Sequence, residues 1–386
     1  RYHSFGLPGS AVIYRWGVRA TANTIAVGGR VRVVTDPAGQ EVWRLDLAET
    51  LFDKSALLKY NGAGGVITTS QGVQYRLSGS TRFYKNGCPA LPEDLLPGEQ
   101  LELEYTAAPF PAGNVLFTVN CRSAAPPPAL LTSIVTLEGR LVLTGRTGAN
   151  TKVYLWRGDA RQSAPVDESG YFNLTLPLGG EGEYNLFVEA LNRQTGGITG
   201  RQISITAKKD KDETALSALK ETIEQAGKSY LPDAPLARAE AAAVLARFLN
   251  WPALSDSPLP FSDINDIPAP FRSAVAEARA RGIFKGYSGG LFLPLAGLSR
   301  AEAAVVFASV LRELGLDVKT SSSLPYTDAA VIPAWAASAV AETTAAGIFQ
   351  ARWNGAFAPG DSINAAEMAA ALKGLLEYCE TEYAGK

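Results

Sequence analysis

The chain has 386 residues, enough for two to four domains at roughly 100–200 residues each. Charge is nearly balanced, with 36 Lys+Arg against 38 Asp+Glu, which excludes general nucleic-acid affinity because phosphate binding needs a basic surface. The single histidine, His3, excludes a Ser-His-Asp triad or a His-rich zinc site, and no apolar run reaches the ~18–20 residues of a membrane helix. The chain begins at Arg1 without an export signal and reads as a mature or truncated product.

In chain order, the first 207 residues alternate apolar and polar positions and are rich in Val, Thr and Tyr, the period-2 signature of antiparallel strands. Strands are expected at 24–35, 41–47, 65–69, 73–77, 81–84, 100–105 and 115–119, with turns at 36–39 and at Lys85-Asn86-Gly87. Residues 1–124 then form a small β barrel or sandwich. The apolar residues of 2–19 have no evident home and offer an edge for strand addition by a neighbouring molecule. Cys88 and Cys121 fall in this domain and either pair or stay as buried thiols, with Cys379 left over.

Ala124-Ala125-Pro126-Pro127-Pro128 is an extended spacer. After it, strands at 134–137, 140–144, 152–156, 171–176, 182–190 and 200–206 make residues 129–207 an Ig-like sandwich. Residues 208–214 read as a charged, exposed linker.

From 215 onward the spacing turns helical and a repeat emerges. Phe261-Ser262-Asp263, Ile267-Pro268, Gly282-Ile283-Phe284, Gly289-Gly290-Leu291-Phe292-Leu293-Pro294 and Leu298-Ser299-Arg300-Ala301-Glu302 recur as Tyr326-Thr327-Asp328, Ile332-Pro333, Gly347-Ile348-Phe349, Asn354-Gly355-Ala356-Phe357-Ala358-Pro359 and Ile363-Asn364-Ala365-Ala366-Glu367. Asp263 to Asp328 and Gly282 to Gly347 are both 65 positions apart. A degenerate copy precedes them, with Tyr230-Leu231-Pro232 and Leu236-Ala237-Arg238-Ala239-Glu240. The copies span about 215–252, 259–316 and 324–383.

Part of the motif is explained by folding alone. Ser299 with Glu302, and Asn364 with Glu367, are capping boxes; Glu240 keeps half of one because Ala237 has no cap oxygen. Gly282 and Gly347 are helix C-caps, and Asp263 and Asp328 are expected as helix-entry caps rather than ligand contacts. Arg238 and Arg300 are different, because the macrodipole disfavours a cation in the first turn of a helix. A guanidinium beside helix-end amides makes a forked site for a carboxylate; the alternative is an ion pair with a neighbouring repeat's acid. The third copy has Ala365 at this position, which should weaken that groove. In the loop between helices, Lys285, Tyr287, Gly289 and Gly290 match Gln350, Arg352, Trp353, Asn354 and Gly355. An aromatic face there can stack on a sugar, and the glycines admit a ring close to the backbone; a packed turn is the other reading.

This order of motifs resembles the S-layer homology family. The resemblance implies an all-α, pseudo-threefold cluster of three repeats that holds a secondary cell-wall polymer, attached to peptidoglycan, in the grooves between repeats. It also implies that Arg238 and Arg300 meet the polymer's acidic sugar. The segment 75–105 resembles small β domains of bacterial S-layer and surface proteins, and 168–192 resembles bacterial Ig-like modules. The fold class expected is therefore multidomain, an all-β N-terminal half followed by an all-α repeat cluster.

The function this implies is a non-catalytic, secreted cell-surface protein, anchored to the wall, extracellular, and a subunit of an S-layer or other self-assembling structure through its β domains. The alternative is a wall-anchored fragment of a larger polysaccharide-active enzyme or adhesin with β spacers. A glycosidase needs two carboxylates across a cleft; Asp46, Glu49, Asp53, Glu93, Asp94 and Glu102 form no such motif. No cofactor or metal is expected; Asp210, Asp212 and Glu213 cluster without calcium-loop spacing.

Overall fold

The computed structural model describes residues 51–62, 64–105, 114–207, 211–252, 259–320 and 323–383 in full, and 12–15, 18–20, 30–35, 42–48 and 106 as backbone. The chain forms two compact units: residues 1–128 with 191–200, and residues 129–190 with 201–386.

In the first unit, β1 (Val12–Arg15), β2 (Val18–Ala20), β3 (Arg30–Thr35) and β4 (Val42–Ala48) form a sheet of order β2-β1-β4-β3, with β1 parallel to β4. The segment expected to seek a neighbouring molecule therefore pairs, in its described residues, with its own chain; 2–11 and 16–17 lie outside the described residues, as do 21–29 of the first expected strand. The second sheet holds β5 (Leu51–Asn61), β6 (Val66–Thr69), β7 (Gln74–Arg76), β8 (Arg82–Lys85), β9 (Cys88–Ala90), β10 (Gln100–Thr106) and β11 (Val115–Arg122). Its order is β10-β5-β6-β7-β11-β8-β9, and β10 also pairs with β11, so the sheet closes on itself. Closure of β10 on β11 encloses Leu57, Ile67, Tyr75, Leu101, Leu103 and Val119, while β8 and β9 extend from β11 and leave β9 as an edge. Strand β5 was not expected, because Phe52 and Leu58 break the alternation; both are exposed, and pairing to β10 and β6 holds the strand regardless.

The pairing considered for Cys88 and Cys121 does not occur: both are buried thiols outside any disulfide. Lys85 lies opposite Cys88 on one side and Cys121 on the other. The two cysteines are thus two strand spacings apart, about 10 Å, beyond the ~7 Å a disulfide spans. The Lys85 side chain between them is fully buried, 2.7 Å from Glu99 and donating to the Asp94 carbonyl. Burial pushes the Cys121 thiol well up, reinforced by its bond to Glu99, so it is an inert structural group.

The second unit begins with β12 (Leu130–Leu137), β13 (Arg140–Thr147), β14 (Thr151–Arg157), β15 (Ala160–Ala164), β16 (Tyr171–Pro177), β17 (Gly182–Asn192) and β18 (Ile198–Ala207). They form two sheets, β12-β13-β16 and β15-β14-β17-β18. Alternation along β12 and β13 sends Ile134, Leu141 and Leu143 into the core shared with the other sheet, and Val135, Leu137 and Val142 into the core of the helices. The three-stranded sheet is therefore buried on both faces.

Among the described residues six α-helices follow: α1 (Lys211–Gln225), α2 (Arg238–Phe248), α3 (Arg272–Ala280), α4 (Arg300–Glu313), α5 (Ala334–Ala345) and α6 (Ala365–Tyr383). The expected charged linker is shorter than read: α1 starts at Lys211, Asp212 and Glu213 occupy its first turn, where the dipole favours acids, and Lys211 and Asp212 pair with Glu380 and Lys373 of α6.

The repeats close a ring through backbone bonds. Leu236 N–H donates to Ile363, Ile363 to Leu298, and Leu298 to Leu236. Around this triangle each second helix leans its first turn on the next repeat's turn: Arg238 and Ala239 bond Ala296 and Pro294, Arg300 and Ala301 bond Asp361 and Pro359, and Ala365 and Ala366 bond Ala234 and Pro232. Helix-start amides that would otherwise lack partners are thereby satisfied between copies. Buried alanines such as Ala242, Ala304 and Ala371 let the helices approach closely.

Candidate functional site

At each junction between repeats the capping-box glutamate does two jobs. Its Oε2 accepts the cap amide of its own helix: Ala237 to Glu240 at 2.9 Å, Ser299 to Glu302 at 2.9 Å, and Asn364 to Glu367 at 3.2 Å. The cap side chains Ser299 and Asn364 accept the reciprocal N–H of Glu302 and Glu367, as the sequence predicts. The second oxygen, Oε1, faces cations. Glu302 Oε1 takes Arg238 Nη1 at 3.2 Å, and Glu367 Oε1 takes Arg300 Nη1 at 2.7 Å. That pairing with the next repeat's acid is the alternative considered for these arginines.

Both guanidinium groups are almost completely covered. Arg238 Nε donates to the Phe292 carbonyl at 3.0 Å, and Arg300 Nε to the Phe357 carbonyl at 2.6 Å, with Arg300 Nη2 reaching Gln350. Each lies over two phenylalanine rings, Phe284 and Phe292 for Arg238, Phe349 and Phe357 for Arg300. Burial pulls Arg300 down from its ordinary value against the field of Glu367. These arginines tie one repeat to the next and shape the groove; they do not present their charge to solvent.

Asp263 and Asp328 do not cap helices. Neither makes a side-chain cap bond; Asp263 accepts the N–H groups of Phe292 and Leu293, and Asp328 those of Phe357 and Ala358. Leu293 and Ala358 have φ of 56° and 58°, a left-handed conformation costly for residues with a Cβ. The carboxylate clamp holds the inter-helix loop in that shape. The C-cap reading of Gly282 and Gly347 agrees with their φ of 71° and 73°.

The loop residues separate. Lys285, Gly289 and Gly290 are exposed on the turn, and the Gly290 carbonyl accepts Ser262 as that of Gly355 accepts Thr327. Tyr287 stacks 4.5 Å from the Arg238 guanidinium and donates its hydroxyl to Glu302 Oε1; burial, helped by that carboxylate, pushes the phenol up to about 12. Arg352 donates Nε to Glu367 Oε1 at 3.1 Å and pairs with Asp361. Trp353 is 97 % exposed and touches none of the groove.

One cleft, of about 480 Å³, opens beside this constellation. Its walls include Arg300, Gln350, Arg352, Glu367, Lys373 and Glu377, with Gly374 on its floor. A Cβ on Gly374 would fall 2.7 Å from the Gly347 carbonyl, so α6 reaches this close to the turn only with glycine there. The sequence marks Gln350 and Arg352 as loop contacts, but Lys373, Gly374 and Glu377 of α6 were not singled out in the sequence as cleft residues. The 65-residue offset carried a signal for one of them: Lys373 falls where the previous copy has Ala308, a charge in place of a packing residue. Among the described residues no group of three or more His, Cys, Asp or Glu could hold a metal ion, and no helix is long and apolar enough to cross a membrane.

The repeats match a known family model. Residues 260–304 and 325–369 are S-layer homology domains. Over 91 residues the chain is 40 % identical to cell surface glycoprotein 1 of Acetivibrio thermocellus, covering 23 % of this chain and 4 % of that protein. Over 93 residues it is 39 % identical to the cellulosome-anchoring protein of the same organism, covering 24 % of this chain and 21 % of that protein. The chain thus spans a small part of each relative's length. The S-layer homology match joins the two copies whose capping boxes and aspartate clamps superpose in the sequence at one fixed offset.

Proposed function

We propose that this protein is a cell-surface protein held to the bacterial wall by its S-layer homology repeats, with a secondary cell-wall polymer seated in the cleft between the second and third copies. The observation that carries this is the cleft itself: a polar groove of about 480 Å³ between matched repeats, with Arg300, Arg352 and Lys373 on its walls. Such a groove suits a polyhydroxylated, acidic chain better than an apolar ligand. The names of the relatives, a cell surface glycoprotein and a cellulosome-anchoring protein, agree with an anchoring role.

On this reading the first copy, 215–252, is a third S-layer homology repeat that closes the ring, and the β domains are non-catalytic outward modules of a surface assembly. Acids that a hydrolase would need exposed across a cleft are engaged in structure: Asp53 accepts Tyr75 and Ser55, and Glu102 pairs with Lys54 and Arg122.

The test is retention of the full chain by purified cell walls before and after removal of the secondary polymer. Retention should be lost with the polymer; equal retention by stripped walls rejects the proposal. Arg300→Ala is a poor probe, because removing one partner of a buried ion pair costs about 3–5 kcal/mol and disrupts the fold. Arg352→Ala is the sharper one.

A further inference from the structure

The three junctions of the ring are built on one plan but end in different side chains. At each, Oε1 of the capping-box glutamate receives a group from its own repeat's loop. For Glu240 this is Lys228 Nζ at 2.6 Å, for Glu302 the Tyr287 hydroxyl, and for Glu367 Arg352 Nε at 3.1 Å. Tyr287 and Arg352 are equivalent positions, 65 residues apart. The previous repeat adds Arg238 at the Glu302 junction and Arg300 at the Glu367 junction, and Ala365 adds nothing at the Glu240 junction.

The consequence is electrostatic. At the Glu302 junction one guanidinium meets one carboxylate, and the Tyr287 ring covers the guanidinium face at 4.5 Å. At the Glu240 junction a lysine, 62 % exposed, meets a buried carboxylate, with no guanidinium fork. At the Glu367 junction two guanidinium groups share one carboxylate oxygen. Arg352 spends Nε on Glu367 and Nη1 on Asp361, and Nη2 has no acceptor among the described residues. It lines the cleft, and its side chain is 27 % exposed.

We infer that Arg352 is the specificity-determining residue, and that it makes the junction of the second and third repeats the chain's single receptor for a carboxylate-bearing sugar. The buried arginines are positioning residues: Arg300 holds the Gln350 carbonyl and Glu367, the carboxylate on which Arg352 also docks. Tyr287 closes the equivalent place one repeat earlier by taking the glutamate's oxygen without adding charge. This inference rests on the anchoring reading above and adds to it the number of sites and the residue that makes one differ from the rest.

The experiment is isothermal titration of the full-length chain with an oligosaccharide released from the wall polymer, and with the same oligosaccharide after its carboxyl groups are reduced to alcohols. Wild type should bind the acidic form with a stoichiometry of one and the reduced form at least tenfold more weakly. Arg352→Tyr should lose the acidic form by at least tenfold with an unchanged melting curve, since it installs the residue its sister repeat already carries. Tyr287→Arg should raise the stoichiometry to two. A wild-type stoichiometry of two or three, or undiminished binding by Arg352→Tyr, overturns the inference while leaving anchoring intact. Equal binding of acidic and reduced forms overturns the carboxylate specificity alone. No binding of either form removes the anchoring reading and this inference with it.

Discussion

Two arginine clusters in the second unit use the same parts and do opposite work. Arg281, at the end of α3, has a fully buried side chain between Glu277 at 3.0 Å and Glu313 at 2.6 Å, stacked 5.0 Å from Trp251. It also donates to Ser133 of β12, which Trp251 Nε1 reaches at 2.9 Å. Burial pushes the Glu277 carboxyl up against the opposing pull of Arg281. Arg300 and Arg352 likewise share carboxylates, yet Arg352 opens on a cleft. What separates a structural cluster from a binding one is the cover. The three-stranded sheet seals the first, and nothing among the described residues closes the second. Residue type alone makes no such distinction.

The comparison is broken most severely at the sealed cluster. Arg281→Ala should destabilise the second unit by about 3–5 kcal/mol, because two buried carboxylates lose their partner. Urea unfolding would measure it, and a loss under 1 kcal/mol would mean that the joint is not closed to water. Next is Gly315→Ala at the end of α4. A Cβ there would fall 2.2 Å from the Tyr171 hydroxyl, at a φ of 68°, so a cost of about 1–3 kcal/mol is expected in the same measurement.

Arg352→Ala should cost no more than about 1 kcal/mol, as a partly exposed ion pair, while wall retention falls sharply. A stability loss as large as that of Arg281→Ala would erase the distinction between the clusters. Ala237→Ser should stabilise by at most about 1 kcal/mol, by supplying the missing cap oxygen of α2.

The smallest effect is a pH dependence. Burial tends to raise the Asp328 carboxyl, but the N–H groups of Phe357 and Ala358 hold it below its ordinary value of 3.8. A depressed folded pKa contributes stability above about 3.8 that is lost as pH falls through the folded value. Asp328→Asn should therefore lose stability relative to wild type at pH 7 and converge with it near pH 2. A gap between the two unfolding curves that is constant with pH would show that the charge of the clamp is irrelevant.

Much of the helical part was legible in the sequence because local chemistry writes it. A Ser or Asn three residues before Glu caps a helix wherever it falls, glycine ends one, and the 65-residue offset exposes the copies. Most β strands were legible for the same reason, in period and turns, but β1, β2, β5, β9 and β15 were not expected. Less legible was anything that depended on a distant partner. Asp263 and Asp328 stand where caps belong, yet their acceptor oxygens face amides about thirty residues further on. Cys88 and Cys121 share a domain, but strand register sets a lysine between them.

The sequence by itself determined most of the elements, the repeat and the kinds of side chain available at each junction, since propensity, capping and periodicity act over a few residues. Tertiary structure alone decided which arginines are enclosed and which one borders open space. That choice turns on solvent access and on carboxylates contributed by other repeats, quantities that exist only once the ring has closed.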